Sequence, residues 1–155
     1  MPNWCDNRLT IWGSKKDIKN FKEKAKSQDP KQKTDLMLNN FIPLPNELTN
    51  TIADFAKKPY EQKLIKKYGA EDWYHWHIKN WGTKWDIEAE LIDDQEYYLE
   101  YTFDSAWAPP TEWLEKVTKM YPNMDFTLHY DEPGACFKGV ARGKEGKYKD
   151  QCIEY

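Results

Sequence analysis

From Trp85 to Phe103 the chain alternates apolar and polar residues with a period of two. Trp85, Ile87, Ala89 and Leu91 interleave with Asp86, Glu88 and Glu90. After Asp93-Asp94-Gln95, Tyr97, Leu99, Tyr101 and Phe103 interleave with Tyr98, Glu100 and Thr102. Side chains on a strand point alternately to opposite faces, so this pattern predicts two strands, each with one wet and one dry face. The polar turn between them makes an antiparallel hairpin. A hairpin buries its dry face only against a second layer, so the rest of the chain must supply helices.

It does so on both sides. Trp4 to Trp12 reads as a strand, with Cys5, Asn7, Leu9 and Ile11 on one face. Ser14 offers an N-cap oxygen with Asp17 three residues on, and Ile18, Phe21 and Ala25 follow at helical spacing, which predicts a helix over 14–27. Residues 28–60 carry Pro30, Pro43, Pro45 and Pro59, and predict short helices pinned by Phe41, Ile42, Leu44 and Leu48. Residues 61–80 predict one or two helices broken near Gly69, with Trp73, Trp76, His77 and Asn80 on one face and Gly82 as a left-handed cap. Pro110 suits the first turn of another helix, whose apolar face is Trp113, Leu114, Val117, Met120 and Tyr121. Phe126, Leu128 and Tyr130 give a strand. Glu132-Pro133-Gly134 reads as a type II turn. Residues 135–141 and 147–154 then close a meander through a turn at Gly143-Lys144-Glu145-Gly146.

The order predicts an α+β fold: a ferredoxin-like split βαβ core with a helical insertion after the first helix and a C-terminal antiparallel β-meander. At 155 residues this is one domain, 1–155. The core is 1–27 and 83–131, the mostly helical insertion is 28–82, and the C-terminal hairpin or meander is 132–155.

A net charge of -3 argues against general nucleic-acid binding. Three cysteines, Cys5, Cys136 and Cys152, make no disulfide framework. No run approaches the roughly 18 apolar residues of a membrane span. The start has no basic region followed by an apolar run, so no signal peptide is read and a cytoplasmic protein is the default.

The aromatic content, 15% with 8 Trp, concentrates in clusters that also hold polar groups. The first is Asn80-Trp81-Gly82-Thr83-Lys84-Trp85-Asp86, the second Ser105-Ala106-Trp107-Ala108-Pro109-Pro110, the third Met1-Pro2-Asn3-Trp4-Cys5. Indoles beside amides, hydroxyls, a cation and a carboxylate predict a binding site at Trp4, His77, Asn80, Trp81, Thr83, Lys84, Trp85, Asp86, Ser105 and Trp107. In that site Trp81 and Trp107 stack, Lys84 pairs charge, and Asn80, Thr83 and Asp86 orient. A Trp-rich core is the competing explanation.

Other candidates are weaker. His75 and His77 diverge on a helix and find no Cys or acidic partner at ligand spacing, so no metal is expected. Cys5 alternates with Leu9 and Ile11 and reads as a buried thiol, not a nucleophile. Asp86, Glu88 and Glu90, with Glu100 across the hairpin, could hold a cation but read better as a solvated stripe. Arg142, Lys144 and Lys147 beside glycines make a basic rim without the pattern of a phosphate-binding loop.

The opening Met-Pro-Asn-Trp-Cys with Asn7, the Asn80–Asp86 and Ser105–Pro110 segments, and the Glu132-x-Gly134-x-x-Phe137-x-Gly139 pattern resemble the YubB-like family of phage and plasmid proteins. The likeness is clearest over 1–13 and 80–143. It implies a ferredoxin-like domain, a mobile-element origin and a bacterial host cell; it implies no catalytic residues.

Together these readings predict a non-enzymatic phage or plasmid accessory protein without a cofactor. It would bind a small anionic ligand, a nucleotide derivative among the candidates, or a host defence protein. One alternative is a nucleotide- or nucleic-acid-processing enzyme using Asp86, Glu88 or His77. Another is a protein–protein interaction module, which requires a flat exposed aromatic patch instead of a pocket. The meander edge could also pair with a second copy as a homodimer.

Overall fold

The computed structural model describes residues 1–53 and 59–155; the part of the expected insertion at 54–58 lies outside them. Six strands form one sheet: β1 (Trp4–Trp12), β2 (Ala89–Gln95), β3 (Tyr98–Ala106), β4 (Asp125–Glu132), β5 (Phe137–Lys144) and β6 (Lys147–Glu154). Their order is β2-β3-β1-β4-β5-β6. Every neighbouring pair is antiparallel, with β1 central between β3 and β4. Helices α1 (Lys15–Ala25) and α4 (Thr111–Met120) complete the split βαβ unit.

Local chemistry sets these bounds. Ser14 caps α1 by accepting the Asp17 N–H at 3.2 Å. Ile18, Phe21 and Ala25 bury its inner face, and Trp113, Leu114 and Val117 bury that of α4. They meet Leu9, Ile11, Leu99, Tyr101, Phe126 and Leu128 from the sheet, all at most 2% exposed. One sheet face is therefore the core wall. Burying each such side chain contributes about 1.5–3 kcal/mol.

Between α1 and β2 run two 3-10 turns, Leu38–Asn40 and Asn46–Leu48, and helices α2 (Pro59–Tyr68) and α3 (Trp73–Asn80). Phe41 and Leu48 are buried, with Ile42 and Leu44 packed beside them. Phe41 stacks on Phe21 at 4.6 Å and meets the edge of Trp113 at 5.7 Å. The core is thus rich in rings because the segment between α1 and β2 adds aromatic surface to it.

Three expectations change. The strand read from Trp85 begins at Ala89, because Asp86 turns inward to bind backbone. The β2–β3 turn is Glu96-Tyr97, not Asp93–Gln95, and the ladder shifts register between Leu91 and Asp93. The type II turn at Gly134 is absent. A four-residue loop joins β4 to β5, and its left-handed residue is Cys136, at φ 58. Glu132, fully buried, shapes that loop by accepting the N–H groups of Gly134 and Ala135, both at 2.8 Å. At β5–β6, Glu145 and Gly146 both take positive φ, as a two-residue type I′ hairpin turn requires.

Candidate functional site

The Asn80–Asp86 segment leaves α3 through Gly82, whose φ of 86 closes the helix while its N–H donates to His77 and Ile78 carbonyls, both at 3.1 Å. The segment then divides into an inner and an outer set of residues.

The inner set holds the fold together. Trp81 is 1% exposed and its Nε1–H donates to the Ile42 carbonyl at 2.9 Å. His77 stacks on it, with ring centroids 4.0 Å apart and 16° between planes. Nδ1 of His77 lies 2.7 Å from the Lys84 carbonyl, so that nitrogen carries the proton and donates. Burial lowers the His77 pKa below its ordinary 6.5. Asn80 donates to the Trp76 carbonyl at 3.0 Å, and Thr83 to the Ala106 carbonyl at 3.0 Å. Asp86 accepts three backbone N–H groups, from Leu38 at 2.7 Å, Asn39 at 3.1 Å and Ile87 at 2.8 Å. Burial pushes its carboxyl pKa up, and these three bonds pull it part of the way back. Trp81 is thus packed between His77 and the Ile42 carbonyl, and Asn80, Thr83 and Asp86 each hydrogen-bond to backbone.

Ser105 belongs to the same set. It accepts from Asn7 Nδ2 at 2.8 Å and donates to the Ala108 carbonyl at 2.7 Å. Asn7 also donates to the Cys5 carbonyl, and Trp107 N–H donates to Asn3. This network fixes a backbone conformation that a bulky residue rarely takes: Trp107 sits at φ 68. A left-handed Trp costs about 1–2 kcal/mol. At this position the indole is 42% exposed.

The outer set is Trp4, Lys84, Trp85 and Trp107. Lys84 Nζ lies between two indoles, 4.5 Å from the Trp85 centroid and 4.6 Å from that of Trp107. Trp4 adjoins Trp85 at 6.3 Å. Trp4 and Trp85 are 46% and 40% exposed. Three indoles and a cation thus form a patch at the end of β1. An open groove of about 820 Å³ lies elsewhere, on the sheet face away from the helices, with Arg8, His129 and Lys138 and the carboxylates of Asp6 and Asp131 in its lining.

The other candidates resolve in the same way. Cys5 is buried, which pushes its thiol up to about 12, far from a nucleophile's range. Glu88 and Glu90 are exposed while Asp86 faces inward, so the three do not form one stripe. His75 does have acidic partners, contrary to the sequence reading. Nδ1 lies 3.2 Å from Glu71 and 2.9 Å from Asp72, at i−4 and i−3, just before the first turn of α3. One nitrogen and two carboxylates within 4.8 Å could hold a divalent cation. Helix capping also explains them, since Asp72 accepts the His75 N–H at 2.8 Å. Spacing within Glu71-Asp72-x-x-His75 was the available signal.

Fold and site define an α+β protein with a ferredoxin-like domain and an exposed aromatic patch. Residues 80–155 match the family model described as the ferredoxin-like domain in Api92-like protein. The crystal structure of protein api92 from Yersinia pseudotuberculosis is similar over the whole chain, with TM-score 0.54 and 12% identity, covering 98% of that chain. At that identity the likeness speaks for the fold. The search of curated proteins finds no match. Among the described residues no helix is long and apolar enough to cross a membrane.

Proposed function

We propose that the chain is a non-enzymatic accessory protein of a mobile element, and that it binds a partner protein through Trp4, Lys84, Trp85 and Trp107. One observation carries this reading: three indoles stand in solvent while a network of buried hydrogen bonds holds one of them in strained backbone. Exposed apolar patches and strained residues cluster at working surfaces. Trp is also among the residues that dominate the energetics of protein interfaces. Three half-exposed indoles around one cation offer the broad amphipathic contact that suits a protein better than a small anion. The enzymatic alternative lacks support, because Asp86 is engaged by backbone N–H groups and His77 by Trp81 and Lys84. In the setting implied by the YubB-like resemblance, the partner is a host protein, and a defence protein is the natural target.

The test compares wild type with the Trp85→Ala/Trp107→Ala variant as bait in host lysate. Calorimetry on the purified pair follows. The proposal expects a protein retained by wild type only, with affinity at least tenfold weaker for the variant, which corresponds to about 1.4 kcal/mol. Equal retention by both, or a nucleotide released from wild type and no protein, would overturn it.

A further inference from the structure

The sheet's open face carries segregated charge that net composition conceals. Pairing register places Lys138, Val140, Arg142 and Lys144 of β5 on that face, opposite Ile153, Gln151, Lys149 and Lys147 of β6. Five cations therefore share this half of the face, all exposed, with no carboxylate at any of its β5 or β6 positions. None of the five makes an ion pair among the described residues. Glu90, Asp93, Glu100 and Asp104 of β2 and β3 lie on the other half, and Asp131 of β4 stands directly opposite Lys138.

Two of the pairings oppose like charges directly: Arg142 faces Lys149, and Lys144 faces Lys147. Such pairs destabilise a sheet. Lysine on an edge strand deters unwanted strand pairing, which accounts for β6. It does not account for β5, which lies between β4 and β6. An anion bridging the two strands would account for both.

The same face offers aromatic surface. Trp12 is 55% exposed and packs on Tyr98 with centroids 4.5 Å apart, near the Lys144 end of the hairpin. The open groove lies toward the Lys138 end, over Arg8, His129, Val140 and Gln151, with the carboxylates of Asp6 and Asp131 also in its lining. Between these ends β4 presents Thr127 and His129, with Asp125 and Asp131 bracketing the path. From Lys138 to Lys144 the hairpin runs about 20 Å, a span of a few nucleotides.

We propose that this face binds single-stranded nucleic acid, with phosphates along the β5–β6 cations and bases directed over β4 and β1 toward the groove and Trp12. A row of cations beside an exposed ring platform is how unpaired strands are held without sequence readout. A double helix hides its bases from such a flat face, and an acidic peptide gains nothing from the rings. This surface is separate from the Trp85–Trp107 patch, so either assignment can fail without the other.

The test is fluorescence anisotropy of a labelled deoxythymidine oligomer titrated with the full chain. Each phosphate contact on a single strand adds about −0.7 to the log–log salt slope, so five give about −3.5, or roughly a 100-fold loss from about 50 to 200 mM salt. Arg142→Gln/Lys149→Gln reduces the slope by about 1.4. Its melting temperature holds or rises, because a like-charge pair is removed, which separates lost binding from lost folding. Trp12→Ala weakens binding without changing the slope. No anisotropy change at about 100 µM protein and low salt, the weak end of non-specific affinity, would overturn the proposal. So would equal displacement by a polyglutamate peptide with Trp12→Ala unchanged, which would assign the face to an acidic protein.

Discussion

Asp86 gives the sharpest test of whether the loop's polar residues build the fold or bind something. Its carboxylate joins two segments far apart in sequence, accepting Leu38 and Asn39 N–H from one and Ile87 N–H from the other. Hydrogen bonds to a charged group contribute about 1.5–3 kcal/mol each, so three give a gross figure of about 4.5–9 kcal/mol. Burying the charge offsets part of that, since an ion's desolvation costs several kcal/mol. A net loss of about 2–4 kcal/mol is expected for Asp86→Ala, which at this chain length lowers Tm by about 5–15 °C. Asp86→Asn keeps one acceptor oxygen and should fall between the two proteins. Urea unfolding reads the change as a shifted midpoint at constant m value. A loss below about 0.5 kcal/mol, the size of an ordinary surface substitution, would refute the reasoning. Loss of partner binding without loss of stability would return Asp86 to the binding site.

His77 has a folded-state pKa lowered by burial, so below 6.5 the unfolded chain takes up the proton more readily than the folded one. Stability should fall as pH drops through 6.5 and level off below the lowered value; His77→Gln should flatten the profile over that window, as read by melts of both proteins. The Asp86 shift has the opposite sign, begins at 3.8 and is shared by both proteins, so it cancels in the difference. Gly143→Ala would drive a methyl into Thr118 and push α4 off the sheet, for a cost of about 1–3 kcal/mol by chemical denaturation. Trp107→Gly should hold or raise Tm while removing the indole, because relief of about 1–2 kcal/mol of left-handed strain exceeds the glycine's entropic cost.

Period-two alternation made the sheet legible, and helical spacing with Ser14 and Pro110 made α1 and α4 legible, because each element's own pattern marks its buried face. The limits of β2 were not legible. Asp86 continues the alternation but is drawn inward by N–H groups of the 3-10 turn at Leu38, a partner forty-eight positions away in sequence. The same applies to the site. The Asn80–Asp86 segment reads as uniformly rich in binding groups, and nothing local tells Trp81 from Trp85. What separates them is the Ile42 carbonyl, which takes the Trp81 N–H, and the end of α3, which leaves Trp85 outside. Charge segregation on the open face was present in the alternation of Lys138 to Lys149. It was masked by a net charge summed over both halves of the sheet.

The indoles divide between core and surface. 5-Fluorotryptophan labelling gives one fluorine resonance per indole, 8 in all, assigned by single substitutions. Paramagnetic relaxation by a soluble gadolinium chelate then reads solvent access at each. Strong relaxation is expected at Trp4, Trp12, Trp85 and Trp107, and protection at Trp76, Trp81 and Trp113. Protection of Trp85 and Trp107 to the level of Trp81 would contradict the account, leaving a Trp-rich core with no aromatic surface to bind through.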